Sequence, residues 1–477
     1  MTAHSVVVIG GGLIGLSSAL LLARDGHHVT VLERDPAPPP EPSEAWAVWE
    51  RRGVNQFRLP HAFLPRFREL LDTELPDVRA ELVAEGALVT NRMAEMPVAI
   101  TGGFRPQDTR FAQVTGRRPM FEAVFARQAA RESGVEIRRG VTVRGLKMAT
   151  PPNGDIPHVG GVVTDDGEHL AADLVVDAGG RRSALPEWLA AAGARRPDEE
   201  VADSGFVYYG RHFRSEDGAM PPMLGPPLQP YESVSWFTGV ADNGHWSVAL
   251  VGSAKDRSLR ALRDVEVWER VVRSYPLIAH WVDAEPTTGV DVIAKIEDRV
   301  RDLDGARGPV ATGIVAIGDA SACTNPSVGR GASIGLLQAT RLRDTLGAAD
   351  PRDPGELIRA WNERTRSDVT PYVRDTLDFD RHRLAEMDAE IDGRPYETND
   401  PVWNLGQQLR AGAGSDPELL RAAITVMGLL GRGSDVFRDE AIVDKARAVE
   451  GSGRLPGPDR AELLDIIGNR QRETACA

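Results

Sequence analysis

Cysteine is nearly missing from this chain. Its 477 residues include two, Cys323 and Cys476, too few for a disulfide framework and with no CxxC metal pair. A reducing, cytoplasmic compartment fits that usage. Positive charge is also scarce: 56 Lys and Arg face 70 Asp and Glu, a net charge of −14. Binding to nucleic acid would need a basic surface, so that partner is not expected. An anionic membrane surface is disfavoured for the same reason. HExxH, P-loop, Ser-His-Asp and zinc patterns are missing, so no metal is expected. Only one apolar run approaches membrane-span length, Ser5 to Ala23. Gly10, Gly12 and Gly15 interrupt it at motif spacing, no basic segment precedes it, and Arg24 and Asp25 end it. It therefore reads as neither signal nor transmembrane anchor. There is no internal repeat.

What remains is ordinary globular composition, 42% apolar and 26% charged, long enough for two or three domains. Val6 to Ile9 is a β-branched run of the buried parallel-strand type. Leu13 to Ala23 follows with helical composition and stops before Gly26, and Val29 to Leu32 is a second strand. Together they make a β-α-β unit of the expected length. Between the first strand and the helix lies Gly10-Gly11-Gly12-Leu13-Ile14-Gly15, a G-x-G-x-x-G loop. The first glycine permits the turn, the second lets a pyrophosphate approach the backbone, and the third lets helix and strand pack closely. The helix start offers free N–H groups and its positive dipole end to phosphate. Glu33 ends the second strand about 20 residues on, where it suits ribose hydroxyls and would repel a 2′-phosphate. This motif alone does not separate FAD from NAD.

Downstream, Pro36 to Pro42 reads as a loop. Helices are predicted near Ala62 to Leu71, Val78 to Glu85 and Met120 to Glu132. Val135 to Arg138 and Val141 to Leu146 read as strands, and Gly160 to Thr164 pairs with Leu170 to Val176 as a hairpin. Three aromatic-rich strands, Phe206 to Phe213, Ser233 to Val240 and Trp246 to Val251, suggest an antiparallel sheet. Ile314 to Ile317 is again a buried strand, with a helix from Ala332 to Leu346. The last stretch, from about residue 348, reads as helical and polar, with breaks at Gly393 and Gly451 to Gly457.

Two further motifs carry a family resemblance. Gly318-Asp319 follows the strand at 314, and Pro326-Ser327-Val328-Gly329-Arg330-Gly331-Ala332 leads into the next helix. This text resembles the FAD-binding aromatic-hydroxylase-like superfamily, the group that includes para-hydroxybenzoate hydroxylase and the geranylgeranyl-reductase-like flavoproteins. The resemblance covers about residues 5 to 345. It implies that Asp319 meets the flavin ribityl chain, and that Pro326, Gly329, Gly331 and Ala332 set a helix N-terminus against the isoalloxazine. A dipole end there would stabilise the negative charge of reduced flavin. It also implies FAD contacts for Gly10, Gly12, Leu13, Ile14, Gly15, Glu33, Arg34, Val143 and Gly180. Gly53-Val54-Asn55-Gln56 with His61 resembles the segment after the second strand, where Arg51, Arg52 or Gln56 would touch FAD. Arg117, ahead of Met120-Phe121-Glu122, resembles an arginine that contacts the cofactor.

One motif departs from the family. Asp177-Ala178-Gly179-Gly180-Arg181-Arg182-Ser183 has Gly179 where an aspartate normally stands. In the family that motif serves both FAD and NAD(P)H. The departure leaves the hydride source open between transient NAD(P)H and a separate flavin reductase. It is closer to a form in reductase- and halogenase-like branches, although no Trp-x-Trp-x-Ile-Pro segment is present.

The expected fold is α/β: a Rossmann-type FAD-binding domain (1–83, 116–196 and 288–347), an inserted antiparallel β-sheet substrate domain (84–115 and 197–287) and a helical C-terminal region (348–477). The implied function is FAD-dependent monooxygenation of a small aromatic or polyketide-like substrate by molecular oxygen, through a flavin C4a-hydroperoxide. The alternative is an FAD dehydrogenase or reductase without oxygen insertion. A non-catalytic relative on the same fold is opposed by the intact glycine loop, Glu33 and Asp319. No catalytic residue is assigned. Substrate-side candidates on the inserted sheet are Tyr208, Arg211 and Trp236, then Tyr209, His245 and Trp246; alternation puts Tyr208 and Tyr209 on opposite faces. Cys323 reads as a buried small residue rather than a reactive thiol. A homodimer or a reductase partner is compatible with the sequence.

Overall fold

The computed structural model describes residues 3–51, 53–54, 56–151, 156–305, 307–350, 353–450 and 453–475, with side chains of the last helix described to residue 468. Its centre is a five-stranded parallel sheet. The order across it is Ile314–Ala316, Leu174–Asp177, Ser5–Ile9, His28–Glu33, Val135–Arg139. Alternation along Val6-Val7-Val8-Ile9 explains why this strand is central. Val6 and Val8 pack on one face against helix Leu13–Arg24 and helix Gly331–Ala348, through Leu22 and Leu342. Val7 and Ile9 pack on the other face with Val159 and Val162 of a small antiparallel sheet. Both faces are thus dry, which is why the strand carries no polar alternation.

The small sheet corrects the expected hairpin. His158–Thr164 pairs with Val143–Ala149 and with His169–Ala171, and His158 also bridges to Thr312. The following Leu174–Asp177 leaves the hairpin and joins the parallel sheet between Ser5–Ile9 and Ile314–Ala316. Ala172 and Asp173 between them break the run.

A second, six-stranded sheet is built around Phe206–Arg214, His245–Ser253 and Val234–Val240, paired antiparallel. One face is sealed by the helix Val265–Arg273, through Val267, Trp268, Val271 and Val272, and by Leu463 and Ile467 of the final helix. Its other face turns toward the parallel-sheet half, where Gly210 lies against Pro60. A ribbon of Asp198–Asp203, Glu297–Asp302 and Ala322–Cys323 joins the halves.

The C-terminal region is packed into both. Helix Pro354–Arg364 covers the parallel sheet with Leu357, Ile358 and Trp361. A π-helical turn, Thr365–Val369, leads into the long helix Thr370–Ile391, which reaches the second sheet. Among the described residues no helix is long and apolar enough to cross a membrane.

Candidate functional site

The C-terminal ends of the parallel strands open on a cleft of about 300 Å³. The glycine loop forms its floor. Gly10 has φ +104°, and a Cβ there would lie 2.6 Å from the Ala178 carbonyl oxygen; one on Gly15 would lie 2.0 Å from the Gly10 carbonyl oxygen. Both positions exclude side chains because backbone passes too close. Gly12 differs. A Cβ there would meet only the Arg51 guanidinium, 3.9 Å away, so this glycine faces open cleft. Gly12 is also the N-cap of helix Leu13–Arg24, with no side-chain cap. The first N–H groups of the helix therefore have no side-chain cap and are available to an anion. Leu13 is buried behind the loop. Ile14 packs against Gly318 and Gly335, which locks this helix against Gly331–Ala348.

Glu33 is buried at the cleft edge. Its Oε2 accepts from Gly11 N–H (2.9 Å) and from Arg51 Nη2 (2.5 Å), and its Oε1 from Asp35 N–H (2.9 Å). Arg51 extends the chain, donating to Glu122 Oε2 at 2.5 Å and Asp35 Oδ2 at 3.0 Å. Arg118 closes it, donating to Glu122 Oε1 at 2.6 Å. Burial opposes ionisation of Glu122, but the two arginines outweigh it and hold its carboxyl below the ordinary range. A buried, charge-compensated chain thus runs from Glu33 to Arg118.

Arg118 also reaches His61. The imidazole Nδ1 lies 2.8 Å from the Leu59 carbonyl, so it carries the proton; Nε2, 3.3 Å from Arg118 Nη1, accepts. Burial and the Arg118 charge push the His61 pKa down to about 3, so the ring is neutral. Asp319 lies at the same end of the cleft, half-buried, with its carboxyl raised by desolvation and partly offset by Arg118 and Arg181.

Arg34, Gln56, Val143 and Gly180 line the cleft with Gly10, Gly12, Glu33 and Asp319. Arg52 lies outside the described residues. Pro326, Gly329, Gly331 and Ala332 form the loop and first turn of the helix Gly331–Ala348. Gly329 has φ +66°, and a Cβ there would lie 2.6 Å from the Ala62 methyl.

Several expected contacts fall elsewhere. Arg117 turns away from the cleft: its Nη2 donates to Asp242 Oδ2 at 2.6 Å, and its guanidinium lies over the Trp46 ring. Its neighbour Arg118 lines the cleft instead. The i,i+4 spacing of Arg118 and Glu122 was the readable signal. Arg211 and Trp236 lie on the helix-covered face of the second sheet, with Tyr209 and Trp246. Arg211 is spent on Glu269 (2.5 Å) and the Thr288 carbonyl (3.2 Å). Of the leading substrate-side candidates, Tyr208 alone turns to the face that meets the parallel-sheet half, through Asn325. His212 shares that alternation and was not foreseen; its Nε2 lies 3.0 Å from the Arg58 carbonyl and its ring packs on Trp46.

Asp177 does not replace the missing acid at Gly179. It is fully buried, accepts from Ser183 Oγ and from Gly179 N–H (2.9 Å), and so holds the turn itself. Cys323 is buried and its thiol is pushed up by desolvation, as an inert residue would be. Arg181 and Arg182, which line the cleft, were missed as ligand contacts.

The arrangement fits a dinucleotide of the FAD type. An open glycine at an uncapped helix N-terminus faces the cleft, and arginines gather there although the chain is acidic overall. Residues 5–96 match the family model described as FAD dependent oxidoreductase. The chain is 29% identical over 392 residues to the protein Rv3254 of Mycobacterium tuberculosis, covering 76% of this chain and 77% of that one. It is 23% identical over 411 residues to a probable 2-heptyl-3-hydroxy-4(1H)-quinolone synthase, AqdB2, of Rhodococcus erythropolis, covering 82% and 93%. Among solved structures, PqsL of Pseudomonas aeruginosa, a probable FAD-dependent monooxygenase, superposes with a TM-score of 0.59 at 17% identity, over 81% of this chain and 99% of that one. The chain thus shares its fold with PqsL, a probable FAD-dependent monooxygenase.

Proposed function

We propose that this protein is an FAD-dependent monooxygenase that adds one atom of molecular oxygen to a small aromatic or polyketide-like substrate. The observation that carries the reading is one glycine-led, uncapped helix N-terminus opening on a cleft that also holds Glu33, Asp319, Arg34, Arg51, Arg118, Arg181 and Arg182. Bound FAD, when reduced, supplies the electrons that divide oxygen between substrate and water.

The chain's own residues bind, orient and shield. Gly12 and the first turn of helix Leu13–Arg24 take the pyrophosphate, with Arg118, Arg181 and Arg182 as counter-charges. Glu33, held by Gly11 and Arg51, presents a fixed acceptor to a ribose. Asp319 and the turn at Pro326–Gly329 meet the ribityl chain and ring. The turn at Pro60 lies beside Gly210 at the junction of the two halves. On this reading residues 1–83, 116–196 and 288–347 bind FAD, and 84–115 and 197–287 bind substrate. Tyr208 and His212 are then the polar groups on the sheet nearest the substrate. Asp177 is fully used in its own turn, so hydride comes either from transient NAD(P)H without an acid at position 179, or from a separate flavin reductase. A cytoplasmic location belongs to the same reading.

The test supplies heavy-isotope oxygen to the reduced holoprotein with a panel of hydroxyaromatics and 4-quinolones. NADH, NADPH and a flavin reductase are used in turn. A product heavier by one labelled oxygen is expected. Anaerobic reduction of the flavin by a substrate, with no labelled product from any, would overturn the reading in favour of a dehydrogenase.

A further inference from the structure

The turn expected to meet the flavin ring is gripped from behind by the C-terminal region. Three polar side chains flank or occupy it, Asn325, Ser327 and Arg330, and each bonds to helix Thr370–Ile391. Ser327 Oγ donates to Asp380 Oδ1 at 2.5 Å, and Asn325 Nδ2 donates to the same oxygen at 3.2 Å. Arg330 Nη1 donates to Thr376 Oγ1 at 3.1 Å. Thr376 and Asp380 are four residues apart, so one helix face presents both. All of these groups except Ser327 are more than nine-tenths buried. Asn325 is fixed from two other sides. Its N–H donates to Asp298 Oδ1 at 2.7 Å, and its Oδ1 accepts from Tyr208 O–H at 2.5 Å.

Asp380 is the unusual member. It is 2% exposed, and its Oδ2 is buried with no hydrogen-bond partner among the described residues. It forms no ion pair of its own in the described structure. Leaving a buried carboxyl oxygen unpartnered costs stability, and a hydrophobic residue would fill this site more cheaply. The pair of bonds it accepts from the turn is what the carboxyl provides in return. It also lines a small cleft of about 140 Å³ with Asp298 and Leu384, which shares no residue with the larger one.

We infer that Asp380, with Thr376, is a positioning residue for the flavin: it sets the Pro326–Gly329 turn, and through it the start of helix Gly331–Ala348, from outside the FAD-binding part of the chain. The inference rests on the FAD reading of the cleft. It gives the C-terminal region a role that the resemblance, which ends near residue 345, does not supply. Because Asn325 also holds Tyr208, the same clamp ties the turn to the substrate-facing sheet.

The experiment uses the full-length holoprotein. FAD dissociation, the visible flavin spectrum and the flavin reduction potential are measured for wild type, Asp380→Ala, Asp380→Asn and Ser327→Ala. Asp378→Asn, on the exposed side of the same helix, serves as control. Asp380→Ala is expected to weaken FAD binding about tenfold, the scale of one or two net hydrogen bonds, and to shift the spectrum and the potential. Ser327→Ala shifts them in the same direction, Asp380→Asn less, and Asp378→Asn not at all. If Asp380→Ala does not fold, Ser327→Ala carries the test alone. A spectrum, potential and affinity unchanged in Ser327→Ala and in the folded Asp380 variants would overturn the inference while leaving the FAD reading intact. A wild-type chain that takes up no FAD would overturn the reading itself.

Discussion

Gly12 and Gly15 stand three residues apart, yet their substitutions should fail in different ways. At Gly12 a side chain has room, so Gly12→Val should fold with little change in melting temperature and lose about 100-fold in FAD affinity. At Gly15 the Gly10 carbonyl is in the way, so Gly15→Ala should lose about 2 kcal/mol or more in denaturant unfolding without FAD. Arg117 and Arg118 make a second contrasting pair. Arg117→Ala strands buried Asp242 and should cost about 3–5 kcal/mol of stability. Arg118→Ala should fold, because Arg51 still pairs Glu122, and should weaken FAD binding about tenfold by titration.

Asp380 gives a pH signature. Burial pushes its carboxyl from 3.8 up to about 7, with nearby Asp298 adding and the Ser327 and Asn325 bonds opposing. The folded state therefore holds this proton more tightly than the unfolded state does. Its contribution is fully present below about pH 4 and is lost as pH rises through about 7. Arg330, Asp375 and Tyr208 also surround the group, and Asp298 is itself raised to about 6 by burial. Those groups are present in both proteins, and Asp380→Asn should show a flatter stability–pH curve between about 4 and 7 in chemical denaturation. At this scale the sequence spoke clearly where backbone geometry dictates residue type, as at Gly10 and Gly15. It spoke poorly where an arginine could turn either way. Only the packing of Trp46 and Asp242 decides that Arg117 turns out and Arg118 turns in.

Elements were legible when one period ruled them. The strands at Ser5 and His28 and the helix at Leu13 read directly from runs of Val and Leu. Leu170 to Val176 looked like a single strand because hydrophobicity runs across it, but the chain changes sheets at Ala172 and Asp173. The second sheet was read as a sheet, but not which face is sealed. Aromatics were expected at the substrate, whereas Trp236 and Trp246 are on the face covered by Val265–Arg273. Large aromatics bury the most apolar area and so gather in the drier layer. Trp236→Ala should accordingly cost about 3–5 kcal/mol in unfolding and leave the KM for substrate unchanged in the folded enzyme. His212→Ala, on the opposite face, should raise KM with a smaller loss of stability.

At the scale of the whole molecule, an acidic chain concentrates arginine at one cleft at the C-terminal ends of the parallel strands. The C-terminal region closes the assembly rather than trailing from it. One of its helices braces the parallel sheet, one holds the turn at Pro326, and the last covers the second sheet. No motif in the sequence announced those contacts, because they join residues more than 40 positions apart through single hydrogen bonds and packed leucines. The claim on which the rest depends is that this cleft holds FAD. It is tested most directly by the visible spectrum of the purified full-length protein incubated with FAD and freed of excess. The account predicts a bound flavin spectrum at one FAD per chain, lost in Gly12→Val while the fold is kept. A colourless wild-type protein that retains no FAD would contradict it.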